Sequence, residues 1–395
     1  MRFDKLKDFH RQKLGTLCTI VGGYAFDSKK MIPKGNYQIV KMGNFYAGKL
    51  DLSRTPTFLD NPTQSELSAL LKKHDIVITL TGTVNKKDYG YTVQINNENN
   101  LLLNQRCALI RAKNNIDSNY LLYLLKANEF LSQFYASSVG GTGNQTNVSI
   151  KAIEQFIVSI PHLDEQKRIG KFLSDIDKRI LVQNKIISDL KVLKKELCNK
   201  LFISSYCDKT IEIRQVANVY GGYAFNSKTY ISNGKYKIVT IGNVTGDKYI
   251  SGDYNRLDIL PDNIQKQQIL NNGDILISLT GNVGRISVVD GDNYLLNQRV
   301  AKLNVKNNLI KAYIYQYLSN SSFEKDMSNA GQGAAQKNIK NEDILSYNIR
   351  IPTSQTYLEK IDGLLSTYDK LIANEERILA NLYLQKSFLL NAMFI

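Results

Sequence analysis

Two segments of the chain repeat their apolar residues at alternating spacings of four and three, the heptad pattern of helices that pair along a seam. Each segment follows an Ile-Pro dipeptide, at residues 160–161 and 351–352. Few glycines and no proline interrupt either segment, which favours one long helix in each. The seam positions are Ile169, Leu173, Ile176, Ile180, Ile187, Leu190, Leu197 and Leu201 in the first, and Ile361, Leu365, Tyr368, Ile372, Leu379, Leu382, Leu389 and Met393 in the second.

Polar residues interrupt both seams at the same two places. Gln183 of the first segment matches Glu375 of the second, and Lys194 matches Lys386. Polar residues in a seam cost stability, but they can fix the register of a helix pair or leave a groove for a helix from a partner.

The remainder of the chain has shorter apolar patterns. Runs such as YQIVKMGN, DIVITLTG and ALIRA are rich in β-branched residues and bounded by Gly and Asn, which predicts strands separated by turns. The stretch at residues 120–134 and its counterpart at 313–327 have helical periodicity. Mixed elements of this kind predict an α+β fold, with globules of roughly 150 residues each.

The chain also repeats itself. GGYAF occurs at residues 22–26 and again at 221–225, and HDIVITLTGTV at 74–84 matches GDILISLTGNV at 273–283 at the same offset. LLNQR follows in both halves, and each half ends on Ile-Pro and a long helix. Such self-similarity predicts an internal duplication. In GGYAF the two glycines free the backbone for a sharp turn or a close approach, and the tyrosine and phenylalanine fall on one face of an extended segment.

The connectivity predicts how these parts are arranged. We expect globules at residues 1–161 and 205–352, and long helices at 162–204 and 353–395. Only a short link separates the first helix from the second globule, so the two helices are expected to pair antiparallel about a pseudo-twofold axis. Each would be about 50 to 60 Å long at 1.5 Å per residue, enough to act as a spacer. The alternative is that each helix packs separately on its own domain.

The charge balance points to a polyanionic partner. Lys and Arg number 51 against 36 Asp and Glu, a net charge of +15, and the isoelectric point is about 9.4. Nucleic acid is favoured over an ordinary basic surface. An anionic membrane is less favoured, because the first residues form no apolar signal core and no stretch is apolar enough to span a bilayer. These features predict a cytoplasmic protein.

Candidate chemistry within the chain is sparse. The four cysteines form no CxxC pair and only three histidines occur, so we expect reduced thiols and no metal site. Residues 61–64 (NPTQ) lack the second proline and the aromatic residue of an adenine methyltransferase motif. No phosphate-binding motif for ATP is present, and the glycine loops at residues 140–143 and 331–333 are weak as nucleotide motifs. No acidic cluster stands out as a nuclease site.

Taken with the duplication, these motifs resemble a known family. GYAF near the start of each copy, TGNVGR at residues 280–285, the NQR segments, the Ile-Pro ending and EQKRI at 165–169 are similar to the DNA-specificity subunits of type I restriction-modification systems. The resemblance covers essentially the full chain. It implies two target-recognition domains separated by an antiparallel coiled coil, each reading one half of a bipartite double-stranded DNA site.

The resemblance also implies the partners and cofactors. The helices would space the two domains and dock two methyltransferase subunits, with restriction subunits in the full complex. The chain would be non-catalytic and bind no cofactor or metal, because S-adenosylmethionine and ATP would be bound by the partner subunits.

Residues that read DNA are expected in the loops that differ between the copies, because two modules reading different sequences should differ where they read. Basic side chains there can contact phosphates or bases, and amides in the glycine loops can pair with adenine edges. The candidates are Lys29, Lys30, Lys34, Arg54, Lys86, Lys87, Asn144 and Gln145 in the first copy, and Lys228, Lys235, Lys248, Arg256, Lys266, Arg285, Gln332 and Gln336 in the second.

Two other functions remain open from the residues alone. An interaction scaffold would use the paired helices, and its basic charge would be incidental. An autonomous nuclease or methyltransferase would act on DNA without partners.

Overall fold

The structure is a computed structural model that describes residues 9–46, 48–140, 144–204, 206–330 and 337–394. The chain divides into two compact units. The first unit comprises Met1–Gln183 with Ile378–Ile395, and the second comprises Asn184–Arg377. Each unit therefore contains one globule and parts of both long helices.

The first unit is a mixed α/β globule followed by a long helix. Its strands are β1 His10–Lys13, β2 Cys18–Gly22, β3 Tyr37–Val40, β4 Phe45–Tyr46, β5 Lys49–Leu50, β6 Phe58–Leu59, β7 Ile76–Thr79, β8 Thr81–Thr83, β9 Thr92–Gln94, β10 Leu101–Leu103, β11 Cys107–Ala112, β12 Val139–Gly140, β13 Gln145–Asn147 and β14 Ile157–Ile160. Its helices are α1 Leu14–Leu17, α2 Ser118–Leu124, α3 Asn128–Ala136, α4 Ile150–Gln155 and the long α5 Leu163–Ile203, which continues into the second unit. Short 3-10 helices cover Ser28–Lys30, Met42–Asn44 and Glu66–Ala69.

The second unit repeats most of these elements in the same order. Its strands are β15 Lys209–Glu212, β16 Ala217–Gly221, β17 Tyr236–Val239, β18 Asn255–Leu257, β19 Ile269–Leu270, β20 Ile275–Ser278, β21 Ile286–Val288, β22 Tyr294–Leu296, β23 Val300–Val305 and β24 Asn348–Ile351. Its helices are α6 Ile213–Val216, α7 Asn308–Leu318, α8 Ser321–Ala330, α9 Asn341–Leu345 and the long α10 Gln355–Met393, which ends in the first unit. Further 3-10 helices cover Ser227–Thr229 and Lys266–Gln268.

The main sheets of the two units correspond strand by strand, and parts of the smaller sheets correspond as well. The main sheet is antiparallel, with the order β2-β11-β7-β9 in the first unit and β16-β23-β20-β21 in the second. A second sheet contains the parallel pair β3 and β10, or β17 and β22. The strand at the start of each copy pairs with the one before its long helix, β1 with β14 and β15 with β24. The duplication predicted from the sequence is therefore also a duplication of fold.

The two stretches predicted to be helical are helical, but each is broken once. Residues 120–134 form α2 and α3, and their counterpart forms α7 and α8. The chain leaves helical geometry at Ala127, which has φ −76° and ψ 153°. Because of this break, Tyr120 of α2 and Phe134 of α3 both reach the same core, where each is fully buried. Core packing overrides the helical periodicity at this point.

The long helices pack against each other within each unit. In the first unit Lys386 of α10 lies 2.5 Å from Asp177 of α5. In the second unit Lys191 lies 2.7 Å from Glu376 and Lys194 lies 2.5 Å from Asp369. As the residue numbers on α5 increase, those of their partners on α10 decrease, so the two helices pair antiparallel, as predicted. The alternative, in which each helix packs separately on its own domain, is wrong.

The predicted seam faces inward along both helices. Ten of its residues are buried, namely Ile169, Leu173, Ile176, Ile180, Ile187, Ile361, Leu365, Ile372, Leu382 and Met393. The other six, Leu190, Leu197, Leu201, Tyr368, Leu379 and Leu389, are half-buried. In the first unit the seam joins the main core of the globule, where Leu173 and Leu382 pack in one cluster with Tyr123.

The four cysteines are free and buried. Burial raises the pKa of the Cys18 and Cys107 thiols to about 12 and that of the Cys198 thiol to about 11. These thiols stay protonated at neutral pH and contribute to the cores as small apolar groups.

Candidate nucleic-acid interface

The GGYAF segment of the first unit is built against the LLNQR segment. The amide of Tyr24 donates to the carbonyl oxygen of Leu103 at 2.8 Å, and the amide of Gln105 donates to the carbonyl of Tyr24 at 3.0 Å. A Cβ atom on Gly23 would overlap the carbonyl of Asn104 and lie 2.7 Å from that of Leu103. Only glycine allows this approach, so the second glycine of the pair serves the contact with the NQR turn, residues 104–106.

The second unit repeats this contact. Tyr223 donates from its amide to the Leu296 carbonyl at 2.8 Å, and Gln298 donates to the Tyr223 carbonyl at 3.0 Å. A Cβ on Gly222 would overlap the Asn297 carbonyl. The aromatic rings of the segment lie side by side in both units, with centroids 5.2 Å apart for Tyr24 and Phe26 and 4.9 Å apart for their counterparts. The NQR turn of the second unit is residues 297–299.

A third segment joins these two on the other side. The carbonyl of Arg106 accepts from the Leu80 amide at 3.0 Å, and the carbonyl of Arg299 accepts from the Leu279 amide at 3.0 Å. Leu80 and Leu279 each precede a Thr-Gly dipeptide, which begins what we call the TG loop. Each NQR turn is thus held between the GGYAF segment and the TG loop.

The described residues that follow each glycine loop reach the same place. In the first unit β13 pairs with β8 in the TG loop, and Thr81 Oγ1 donates to Asn147 Oδ1 at 3.2 Å. In the second unit Thr280 Oγ1 donates to Asn338 Oδ1 at 3.1 Å. We call the combined surface of the GGYAF segment, the NQR turn, the TG loop and the described part of the glycine loop the loop edge of each unit.

The amide candidates lie partly on the loop edge. Asn144 and Gln145 are exposed there, and the carbonyl of Asn144 accepts from the Val84 amide at 3.2 Å. Gln332 and Gln336 lie outside the described residues.

The basic candidates of the first unit are exposed on the surface. Lys29 and Lys30 follow the GGYAF segment in a short 3-10 helix, and Lys30 lies 3.9 Å from Glu66. Lys86 and Lys87 follow the TG loop, and the Lys87 ammonium lies 5.2 Å from the Tyr135 ring centroid. These four extend the loop edge along the chain. Lys34 and Arg54 are also exposed.

The candidates of the second unit fall into two groups. Lys228 follows the GGYAF segment, and Arg285 ends the TGNVGR loop, where its guanidinium meets Glu324 at 3.2 Å. Lys266 begins a short helix whose Gln268 side chain contacts the Gly221 carbonyl at 3.5 Å. Lys248 instead lies against the long helix α10, 3.9 Å from Asp369.

Two further candidates of the second unit contact groups within their own globule. Arg256 donates to the Gly234 carbonyl at 3.3 Å. Lys235 is exposed, and its ammonium lies 5.2 Å from the Tyr236 ring centroid. Which of the sixteen candidates contacts bases or phosphates stays a prediction.

The structure adds a polar cluster that the sequence pattern did not indicate. In the first unit Asp177 of α5 binds Lys386, and its other oxygen accepts from the Tyr123 hydroxyl at 2.8 Å. In the second unit Asp369 of α10 binds Lys194 and accepts from Gln316 Nε2 at 2.7 Å. These residues occupy matching places in the two copies. The seam lysines are therefore partnered, and each aspartate links the helix pair to its globule.

A second lysine, Lys126, lies beside the cluster of the first unit, where its protonated form is destabilised. Lys126 is half-buried beside the Tyr123 ring. Burial, with repulsion from Lys386, lowers the pKa of Lys126 to about 8, while Asp177 opposes the shift. Burial and the neighbouring Asp177 raise the pKa of the Tyr123 hydroxyl, so it remains a hydrogen-bond donor.

Two other features, a membrane-spanning helix and a metal site, are absent from the described residues. Among residues 9–394, leaving out the short stretches that the structure does not describe, no helix is long and apolar enough to cross a bilayer. The same residues contain no group of three His, Cys, Asp or Glu side chains placed to hold a metal ion.

Two copies of an α/β domain, each with the same loop edge and each packed on a portion of an antiparallel helix pair, define a duplicated two-domain protein. The family model described as the type I restriction modification DNA specificity domain matches residues 7–192 and again 209–383, and the chain belongs to this family.

Individual relatives agree with the family. The chain is 28% identical over 279 residues to the type I restriction enzyme MjaVIII specificity subunit of Methanocaldococcus jannaschii. The match covers 64% of this chain and 64% of that relative's length.

Solved structures share the fold. The S subunit of a type I restriction-modification system from M. genitalium aligns with a TM-score of 0.58 at 16% identity, over 100% of this chain and 98% of that one. A chain from a study of complex assembly and conformational transition in the type I R-M system aligns equally well, with a TM-score of 0.58, 16% identity and 98% coverage of both chains.

Proposed function

We propose that the protein is the DNA-reading subunit of a type I restriction-modification complex. Each unit would read one half of a split double-stranded DNA site, and the two half-sites would differ in sequence. The observation that carries the proposal is the duplicated DNA-specificity domain, with the same loop edge assembled in both copies and different basic and amide residues around it. A shared scaffold with divergent exposed side chains is what two readers of different sequences require.

The net charge of +15 supports the same partner. Basic residues exposed around the loop edge would supply salt-sensitive attraction to phosphates, while the exposed amides of Asn144 and Gln145 can pair with base edges. Backbone hydrogen bonds fix the turns that carry these residues. Less conformational entropy would therefore be lost when DNA binds.

Docking of methyltransferase subunits is proposed for the outer faces of the long helices. In the first unit Phe172, Ile378 and Leu384 are exposed there, and in the second unit the matching positions Leu364, Ile186 and Val192 are exposed. Exposed apolar side chains in numbers of this kind mark interaction sites. Because each unit carries an equivalent set, two copies of one partner would suit them, with restriction subunits added in the full complex.

The chain itself would catalyse no reaction. The methyltransferase subunits would bind S-adenosylmethionine and modify adenine, and the restriction subunits would use ATP. We propose that the chain works without a cofactor of its own and in the cytoplasm, where such a complex meets chromosomal DNA.

Sequencing of methylated bases in cells tests the proposal. Cells that express this chain with its methyltransferase subunits should carry adenine methylation at one split sequence, and cells that lack this chain should not. Methylation or DNA binding without sequence preference would favour a helical scaffold instead. Methyl transfer or DNA cleavage by the purified chain alone would favour an autonomous enzyme.

A further inference from the structure

The NQR turns contain residues whose identity the fold does not explain. Asn104 and Asn297 lie within the contact with the GGYAF segment, where the neighbouring glycines meet their carbonyls. The next two residues, Gln and Arg, use only their backbone atoms to hold the turn. Their side chains are exposed in both units. An exposed side chain with no structural task is free to diverge between two copies, yet here both residues are the same.

The arginines of the two NQR turns also have no anionic partner among the described residues. Within the described residues, neither the Arg106 nor the Arg299 guanidinium makes a hydrogen bond or an ion pair. By contrast Arg111, in the strand β11 that follows the first turn, binds Asp75 at 2.6 Å, and Arg285 of the TG loop binds Glu324 at 3.2 Å. The NQR arginines therefore keep all five donors available to an external acceptor.

The presence of the same exposed Gln-Arg pair in both units indicates which part of DNA it would contact. The two units would read different half-sites, so a residue kept identical in both should contact what the half-sites share. The sugar-phosphate backbone is the same in every sequence, and phosphate contacts position a protein without specifying bases. Arginine is well suited to this contact, because its planar fork can bind two phosphate oxygens at once.

The position of the turns argues against a protein partner docked on the helices. In the first unit the flanking residues Leu103 and Cys107 belong to a core cluster with Phe26 and Ile39, to which α5 and α10 contribute no described residue. In the second unit Leu296 and Val300 belong to a cluster that is likewise formed by described residues outside α5 and α10. The turns thus border the part of each globule that does not pack on the helices.

We infer that the NQR turn of each unit is a sequence-independent DNA clamp, in which Gln105 and Arg106, or Gln298 and Arg299, bind the phosphate backbone and set the register of the reading loops. The inference rests on the proposed function and adds to it a division of labour. Residues that are identical in the two copies hold the backbone, and residues that differ read the bases.

Salt-dependent DNA binding by the complex with methyltransferase subunits tests this clamp. Arg106→Gln and Arg299→Gln should each reduce the slope of log affinity against log salt by about 0.9, and the double variant by about twice that. Affinity should fall by the same factor for the cognate and for an unrelated duplex, and the methylated sequence should not change. Arg299→Lys should retain the slope, since it keeps the charge. Arg11→Gln, which removes an exposed arginine from β1, is the matched control and should leave the slope unchanged.

Three results would overturn the clamp. A changed or relaxed base preference in one half-site would assign the arginine to base reading. Loss of methyltransferase subunits on size-exclusion chromatography, with DNA binding by the assembled fraction unaltered, would assign it to subunit docking. An unchanged slope and affinity in the double variant would leave the turn no role in binding. Failure of the proposed function is distinct, because the unmodified complex would then lack a preferred sequence.

Discussion

At the scale of single residues, the second glycine of each GGYAF segment explains why the motif recurs. The sequence indicated that the glycines permit either a turn or a close approach. The structure shows a close approach, because the site of a Cβ atom on Gly23 is already taken by the Asn104 carbonyl. The NQR turn that Gly23 contacts is about 80 residues further along the chain. The local sequence around the glycines does not identify this distant partner. The constraint acts through steric exclusion, which a substitution can measure.

Replacement of Gly222 by alanine should destabilise the second unit by more than about 2 kcal/mol, since the added methyl group would overlap the Asn297 carbonyl and the backbone has to shift. Urea unfolding of the purified chain measures the change. Gly242→Ala is the matched control, because the nearest atom to its Cβ would be Thr240 Oγ1 at 3.7 Å. Equal free energies of unfolding for the two variants would contradict the close approach.

Lys126 supplies a pH-dependent prediction. Its pKa in the folded chain is about 8, below the value of about 10.4 for an exposed lysine. The unfolded chain therefore binds more protons between these values, and the contribution of Lys126 to stability rises with pH through that window. Below about pH 8 the full penalty of the charged side chain is present.

The Lys126→Met variant should thus be more stable than the unsubstituted chain at pH 7, by about 1 to 3 kcal/mol. The advantage should shrink as the pH rises from about 8 to about 10. Denaturant unfolding of both proteins at pH 7 and pH 9.5 measures the difference, in which the titration of other groups cancels. The exposed Lys171→Met variant controls for a general effect of lysine removal. A difference that does not vary with pH would refute the assignment.

At the scale of elements, the long helices followed from sequence because their heptads are local and sustained. Most seam residues predicted from the spacing are buried. The partners of the seam lysines did not follow, because Asp177 and Asp369 meet them across the helix pair and periodicity along one helix does not identify contacts across two. The break between α2 and α3 was missed for a related reason, since Ala127 lies in a stretch that is locally helical and only the core requires the change of direction.

The ion pair between Lys194 and Asp369 should be far more sensitive to single substitutions than an exposed pair on the same helices. Their side chains are only 16% and 8% exposed. Asp369→Ala leaves a half-buried ammonium unpaired and also removes the acceptor of Gln316, which should cost about 3 kcal/mol. The double variant Lys194→Met with Asp369→Leu should recover much of that loss, because the half-buried ammonium is removed together with its partner.

Lys191→Met is the matched control for this pair. It removes an ion pair with Glu376 whose side chains are 49% and 48% exposed, so its cost should stay below about 1 kcal/mol. Denaturant unfolding of all four proteins completes the comparison. If Asp369→Ala costs no more than Lys191→Met, Asp369 contributes no more to stability than an exposed carboxylate does.

At the scale of the whole molecule, the duplication, the class of fold and the paired helices could all be predicted, because they appear as repeats in the chain. The reading residues could be predicted only as a set of divergent basic and amide positions. Lys248 lies against α10 while Lys29 follows a GGYAF segment, and nothing in their local sequences separates these two settings. Contact residues depend on loop conformation, which is decided by the long-range backbone hydrogen bonds of the loop edge.

The long helices offer the sharpest test at this scale. Residues 163–183 of α5 belong to the first unit and residues 184–203 to the second, and α10 is divided in the same way. Both helices therefore run from one unit into the other, so their length should set the gap between the half-sites. Deleting one heptad from each helix at facing positions keeps the seam in phase and removes about 10 Å at 1.5 Å per residue. Since ten base pairs span about 34 Å, the gap should shorten by about three base pairs.

Each half-site should remain readable in this variant, because both loop edges lie outside the deleted segments. Sequencing of methylated adenines in cells that express the variant with methyltransferase subunits measures the gap and the half-sites together. Deleting a heptad from α5 alone is the control, which leaves the seams unmatched in length and should abolish methylation. Methylation by the paired deletion with the original gap would show that the helices do not act as the spacer, whereas a shorter gap with altered half-sites would show that helix length also determines how the loops are presented.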